Sequence, residues 1–478
     1  MSNEIYDILI VGAGSAGMCC AITAAQGGAR VLLIEKDDKI GGTFHWTGGH
    51  MSGGGTRRQK ELGIEDSPDK HYEDIMRICE GTGDLDLIRL AVDEAPHTID
   101  WLDDLGFEWA PECPRIIYGH IPYETARTHY GTEMGYSFLK VLMPLWEQEV
   151  EAGRISFHLN TQMEALINEG EKVVGVKAGG QFYYGKHIVL TTGGYGANAE
   201  YFSEMHPDAA PLVSATNTTS MGDAQKIVTA AGGRMRFQET HVPSLGGIEM
   251  EKASGRADFK QAWAMVLTSV YRQPREIYVN AEAKRFMAED EANPDTRERS
   301  VGKQPGQKFW MIFDEAALGE TDENGVENPL IIGWNAEKIR AEAEREVSLW
   351  KADSIEELAL KAGLDPDQLN GTVDRFNQQI ENGQDDDFGR TYLKNSLKEG
   401  PFYALLSYAS VLVTFAGLEV NKDLQLLDEN GKIIPGLYAA GEVLGLGATS
   451  GKAFCSGMAI TPALSFGRIL GRTLSKNI

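Results

Sequence analysis

Six residues near the start, Gly12-Ala13-Gly14-Ser15-Ala16-Gly17, keep the spacing G-x-G-x-x-G, and an acid, Glu35, follows. That spacing suits a diphosphate. Gly12 permits a tight turn, Gly14 lets backbone approach a pyrophosphate, and Gly17 lets a helix pack closely on a strand. The N–H groups and positive end of the helix would face the phosphates. Glu35 stands about 20 residues beyond the glycines, at the reach needed for ribose hydroxyls. A second glycine loop, Gly41-Gly42-Thr43, follows at once, and Gly48-Gly49 and Gly53-Gly54-Gly55 crowd after it. A second phosphate-contacting loop suits FAD lying extended across a domain. A flexible hinge is the other reading of these glycines, but it explains neither their spacing nor what happens near the C-terminus.

There the stretch LYAAGEVLGLGATSGKAFCSGMAI, residues 437–460, carries five glycines and one acid. Glu442 can hydrogen-bond a ribityl chain, and the glycines after it let backbone come up to an isoalloxazine ring. A helix runs on from Gly457, so Ala459 and Ile460 fall at its positive end. Reduction of a flavin deposits negative charge at the edge such an end could face. Lys452 could shuttle a proton if desolvation lowered its pKa, or pair with an acid. His45, His50, His129 and His241 lie near these motifs without a pattern that assigns them a role. No metal-ligand spacing is present.

The elements that must position these residues can be read from apolar patterning. A buried strand over 8–11, an Ala-rich helix and a second strand over 31–34 make one βαβ half of a doubly wound sheet. Ser67-Pro68 opens a helical region that reaches Leu105, with Ile75, Ile78, Leu87, Leu90 and Ala91 in one apolar pattern and Ile99, Leu102 and Leu105 in a second helix. Strands are expected over 155–158, 164–168, 173–178 and 187–192. An insert with strands over 276–280 and 308–313 follows, then a charged helix over 336–347 and a helix opened by the capping box at Ser354 and Glu357. Strand signals of the first domain resume over 418–420 and 436–438. The expected fold is α/β: a Rossmann-like FAD-binding domain with an inserted α+β capping domain. Its boundaries are placed at 1–232 for the FAD-binding part, 233–400 for the cap and 401–478 for the return.

At 478 residues the chain exceeds what a single core serves. A net charge of -25 argues against a nucleic-acid footprint. The five cysteines show no C-x-x-C and fit a reducing, cytoplasmic setting. No apolar run reaches membrane-spanning length.

Taken together, GAGSAG with Glu35-Lys36, GGT-x4-GG, LTTGGYG, SMGDA around Asp223, VNAEAKRF and IPGLYAAGEV resemble the fumarate reductase and 3-ketosteroid dehydrogenase flavoproteins. The resemblance runs over nearly the whole chain and implies a cap closing over non-covalent FAD. His45 does not sit where flavinylated relatives place their linking histidine. It further implies hydride transfer between flavin N5 and one carbon of a C–C or C=C bond beside a carbonyl or carboxylate, with a proton moving at the neighbouring carbon. It points to Gly12, Gly14, Ala16, Gly17, Glu35, Lys36, Gly42, Thr43, Gly48, Gly49, Gly54, Asp223, Glu442, Ala459 and Ile460 as cofactor contacts.

Three departures bear on the substrate. Fumarate reductases hold a dicarboxylate with a His before a T-x-G-G turn and an Arg ahead of the last glycines; Val413 and Phe454 stand at those places here. Another clamp His is replaced around Asn217. A dicarboxylate buried without cations costs several kcal/mol per ion. Gly457 resembles the ketone-polarising glycine of the ketosteroid enzymes, whose tyrosine base is replaced by Ala453. The family places the segment with Tyr118, Tyr123 and Tyr130 near the site, and Arg297 or Arg299 at about the place of a proton-donating arginine. Gly457, Tyr118, Tyr130, Arg297 and Lys452 are the candidate catalytic positions.

The expected activity is an FAD-dependent oxidoreductase acting on a CH–CH bond beside a ketone, steroid or smaller, with desaturation ahead of reduction. The alternative is a fumarate-reductase-like reductase of an enone or unsaturated acid. An electron-transfer subunit without substrate chemistry predicts no closed pocket. Without haem or iron–sulfur ligands, electrons must be exchanged with oxygen, a quinone or a carrier protein.

Overall fold

The computed structural model describes residues 4–209, 213–264, 272–318 and 329–476. Residues 8–11 are apolar and fully buried, as befits a strand covered on both faces. They end the strand Ile5–Val11, which pairs in parallel with Val31–Ile34 on one side and Gln181–Leu190 on the other. Ile155–His158 adds to the first flank and Ile433–Ala439 to the second, both parallel. Gln425–Leu427 and the hairpin Met163–Glu169/Lys172–Ala178 extend the sheet antiparallel. This is the expected Rossmann-like sheet, and its central strands come from both ends of the chain.

The helix Ser15–Gln26 packs against Ile460–Ser475. Two glycines one turn apart let the backbones close: a Cβ on Gly467 would lie 2.3 Å from the Ala16 carbonyl oxygen, and one on Gly471 2.8 Å from that of Cys20. Cys19 and Cys20 are buried in this contact, and all five cysteines are free thiols.

A second sheet is built on the strand Phe402–Val411. Lys308–Asp314, Ser244–Gly247 and Leu349–Ala352 pair with it antiparallel, Val213–Ser214 parallel, and Ile277–Val279 lies beyond Lys308–Asp314. Side chains of Lys308–Asp314 alternate: Phe309, Met311 and Phe313 enter one core, while Trp310 and Ile312 enter another with the helices Ile355–Ala362 and Pro366–Asn382.

Several boundaries differ from the sequence reading. The chain returns to the first sheet after Val411 rather than at 401, because Phe402–Val411 is the central strand of the second sheet; an apolar run does not say which sheet it joins. The helical region from Ser67 breaks at residues 80–84, not between Ala91 and Ile99. Glu80 turns left-handed at φ 53°, and the Asp84 carboxylate accepts from the N–H groups of Asp86 and Leu87 to start Leu85–Asp104. That helix carries Pro96 in its interior. The charged helix stops at Ala343, not Val347. At Ser354 the hydroxyl accepts from the Glu357 N–H, half of the expected capping box.

Candidate active site

The strand ends Val11, Ile34 and Thr191 open onto a cavity of about 1000 Å³. Gly12 turns the chain at φ +104°, where a Cβ would lie 2.4 Å from the Thr191 carbonyl oxygen. The helix Ser15–Gln26 then starts from Gly14 with no side-chain cap, so its first N–H groups face the cavity. A Cβ on Gly14 would meet nothing within 4 Å, and one on Gly42 would lie 2.9 Å from Gly14 Cα. The two glycine loops thus meet at one point on the cavity wall. Glu35 sits at the strand end, where its carboxylate accepts from the Ala13 N–H at 2.6 Å and the Asp37 N–H at 2.8 Å.

Gly12, Gly14, Ala16, Glu35, Lys36, Gly42, Thr43, Asp223, Glu442, Ala459 and Ile460 all line this cavity. Gly17, Gly48, Gly49 and Gly54 do not. Gly17 lies beneath it, its absent Cβ 1.9 Å from the Gly12 carbonyl oxygen; Gly49 packs on Met134 and Gly54 on Ser67. Gly48 lies nearer to the rings of His50 and Phe259. Residues that pattern alone did not single out complete the wall: Thr161 and Met163, which follow the strand Ile155–His158, and Thr192, Thr219 and Ser220. The first pair could have been inferred from the rule that parallel strands present ligands at their carboxyl ends.

The donor set fits FAD. The Thr192 hydroxyl is buried and aimed at no protein partner among the described residues, and helix N–H groups and glycine backbone gather where a pyrophosphate would lie. At the other end Glu442 accepts from the Thr414 N–H at 2.9 Å and hydroxyl at 3.1 Å. Burial raises its carboxyl above the usual range, opposed by those two bonds.

A smaller cavity of about 320 Å³ shares Gly441, Glu442, Ala459 and Ala463 with the first and adds Val413, Leu446 and Met458. Beside it Val413, Phe415, Leu446 and Val242 form an apolar cluster with Phe454 packed on them. The Phe415 and Phe454 rings meet edge to face, centroids 5.3 Å apart. The two positions where cations were expected in a dicarboxylate site therefore share one apolar wall.

The candidate catalytic residues scatter. Gly457 has φ +77°, and its absent Cβ would lie 2.3 Å from the Ser52 nitrogen; it leads into the helix Ile460–Ser475, whose first residue lines the cofactor cavity. Lys452 turns outward and pairs with Glu80 at the surface. The Tyr130 hydroxyl donates to Glu112, and Tyr118 is half-buried. Tyr123 is buried, donating to the Ser456 carbonyl at 2.7 Å. Arg297 is buried on the helix Pro294–Gly302, with Nη2 donating to the Tyr278 hydroxyl oxygen at 3.1 Å. Tyr278 donates on to Glu276 at 3.0 Å. Burial would raise the Glu276 carboxyl, but the Arg272 guanidinium, 2.7 Å away, holds it at about 2. Arg299 Nη2 ties this helix to the Lys452 carbonyl at 2.8 Å. No three-residue cluster able to hold a metal occurs among the described residues.

Residues 7–458 match the family model described as FAD binding domain, and the chain belongs to that family. It is an FAD-dependent oxidoreductase acting on CH–CH groups, similar in sequence to fumarate reductases. It is 28% identical to a probable fumarate reductase, Ifc3, of Shewanella frigidimarina over 99% of this chain and 76% of that protein. A urocanate reductase of Eggerthella lenta is 29% identical over 97% of this chain and 74% of its own length. The structure of a 3-ketosteroid delta1-dehydrogenase from Sterolibacterium denitrificans superposes with a TM-score of 0.79 at 20% identity, covering 100% of both chains, a likeness of fold.

Proposed function

We propose that this flavoprotein reduces a C=C bond conjugated to a carbonyl, on a substrate with an apolar body. The apolar wall of Val413, Phe415, Leu446, Val242 and Phe454 beside the cofactor cavity carries the reading. A dicarboxylate against that wall would lack a counter-charge. The two sequence relatives named above are a fumarate reductase and a urocanate reductase, which favours reduction over the desaturation first expected. Bound FAD supplies the hydride. Glu442 and the N-terminus of Ile460–Ser475 orient it, the Gly457 N–H polarises the substrate carbonyl, and Arg297 delivers the proton to the carbon beside that carbonyl. Electrons reach the flavin from a donor outside this chain.

Anaerobic holoenzyme with reduced methyl viologen should bleach the dye with benzalacetone at least tenfold faster than with fumarate. Faster turnover of fumarate would overturn the reading.

A further inference from the structure

His120 lies in the loop between the helix Leu85–Asp104 and the short strand Thr128–His129, and its ring stacks on Phe454 with centroids 4.8 Å apart and planes 16° from parallel. Phe454 belongs to the apolar wall, so the imidazole extends that wall with a polar end. The His120 Nδ1 atom is buried and has no hydrogen-bond partner among the described residues. A buried ring nitrogen without a partner is costly unless a ligand meets it. His50 is the second imidazole here. It follows the glycines 48 and 49, its Cε1 is 3.9 Å from where a Gly48 Cβ would sit, and its ring meets Tyr130 edge-on at 5.0 Å. The next residues, Met51 and Ser52, back directly onto Gly457.

We propose that His120, with His50 nearby, is the polar end of the substrate cleft and binds a second neutral oxygen of the unsaturated substrate, carbonyl or hydroxyl, apart from the conjugated carbonyl assigned to the Gly457 N–H. The inference rests on the reading above and narrows it to substrates without a carboxylate at this end.

The charge state supports it. Burial, reinforced by His50, lowers the His120 pKa to about 4. Solvent reaches the His50 ring, yet protein crowds it closely enough, with the Arg115 charge adding, to bring it to about 4 as well. Both rings are therefore neutral near pH 7. A neutral imidazole offers one donor and one acceptor, which matches a ketone or hydroxyl oxygen and gives no counter-charge for a carboxylate.

The matched pair 4-hydroxybenzalacetone and 4-carboxybenzalacetone tests this on holoenzyme, since both keep the conjugated ketone assigned to Gly457 and differ in a neutral hydroxyl against a carboxylate at the far end. Dissociation constants are read from the flavin absorbance shift, and KM from viologen oxidation. His120→Phe keeps the stack on Phe454 and removes the ring nitrogens; His120→Asn returns a donor near the Nδ1 position. The expected result is binding of the hydroxyl compound at least tenfold tighter than of the acid in the wild type, weakened about tenfold in H120F with kcat little changed, and largely restored in H120N, the size of one lost hydrogen bond. Equal affinity for the two compounds, or an H120F variant with full FAD content and unaltered binding of the hydroxyl compound, would overturn the proposal. The binding readout decides it even if neither compound is reduced, an outcome that would count against the proposed reductase activity instead.

Discussion

The Lys36 ammonium lies 2.5 Å from the Asp223 carboxylate, joining the end of the second strand to a helix 187 residues further along the chain. Both side chains line the cofactor cavity, so the pair closes one side of it, next to Glu35 at the strand end. Lys36→Met removes the cation and leaves the Asp223 charge on the cavity wall, with Gln162 Nε2 at 3.3 Å. FAD should dissociate about tenfold more readily. Recovery of flavin fluorescence on dilution measures this, and an unchanged dissociation constant would remove Lys36 from the site.

Gly457→Ala should be among the most damaging small substitutions. The left-handed backbone disfavours any side chain, and the new methyl would collide with backbone at Ser52, which cannot swing aside. A loss of about 2–4 kcal/mol is expected, visible as earlier thermal release of flavin. An alanine variant with wild-type release temperature would show that Met51 and Ser52 are not fixed.

His71 and His129 are both fully buried. Burial, with Arg127 beside it, puts His71 well below its ordinary pKa, and burial brings His129 to about 4. Their folded values lie below the unfolded value near 6.5, so the unfolded chain binds protons that the folded one refuses. Their contribution to stability is intact above about pH 6.5 and is lost as pH falls toward 4, by up to about 1.4 kcal/mol per pH unit for each ring. Urea titrations between pH 7 and 4.5 should show this slope. His129→Asn, whose amide can still donate to the Arg127 carbonyl from near the Nδ1 position, should flatten it by one proton; an unaltered slope would mean that His129 is protonated in the fold.

Arg297→Met should lower kcat about 100-fold or more with FAD content unchanged, the size of a lost proton donor. Arg299→Met, which removes a tie to the Lys452 carbonyl, should change kcat by only a few-fold. Reversal of that order would place the proton transfer on Arg299.

Much of the cofactor site was legible because it is local. Gly12, Gly14 and Glu35 act through backbone turns and a strand end within one βαβ unit, and spacing alone describes those. Glu442 was readable for the same reason, as an acid ending a strand. The substrate side was less legible, because it is assembled from segments far apart in the chain. Val413 and Phe454 were noted singly as missing cations; only folding brings them against Phe415 and Val242. His120 carried no signal beyond its presence in a tyrosine-rich loop, since its meaning lies in the ring it stacks upon. Lys452 reads from sequence as a proton shuttle or as the partner of an acid, and the structure shows the second, a surface pair with Glu80; spacing cannot choose between the two. The strand Phe402–Val411 has no counterpart in the sequence reading, and its place in the second sheet depends on partner strands far along the chain, which a local pattern does not give.

One wall of the cofactor cavity, Gly441, Glu442, Ala459, Ile460 and Ala463, is supplied only after the second sheet has been laid down. During synthesis the nucleotide-gripping loops emerge first, but the shelf for the redox ring does not exist until residues beyond 440 have left the ribosome. Flavin capture must therefore be a closing event of maturation, and chains stalled before Gly441 should accumulate without colour.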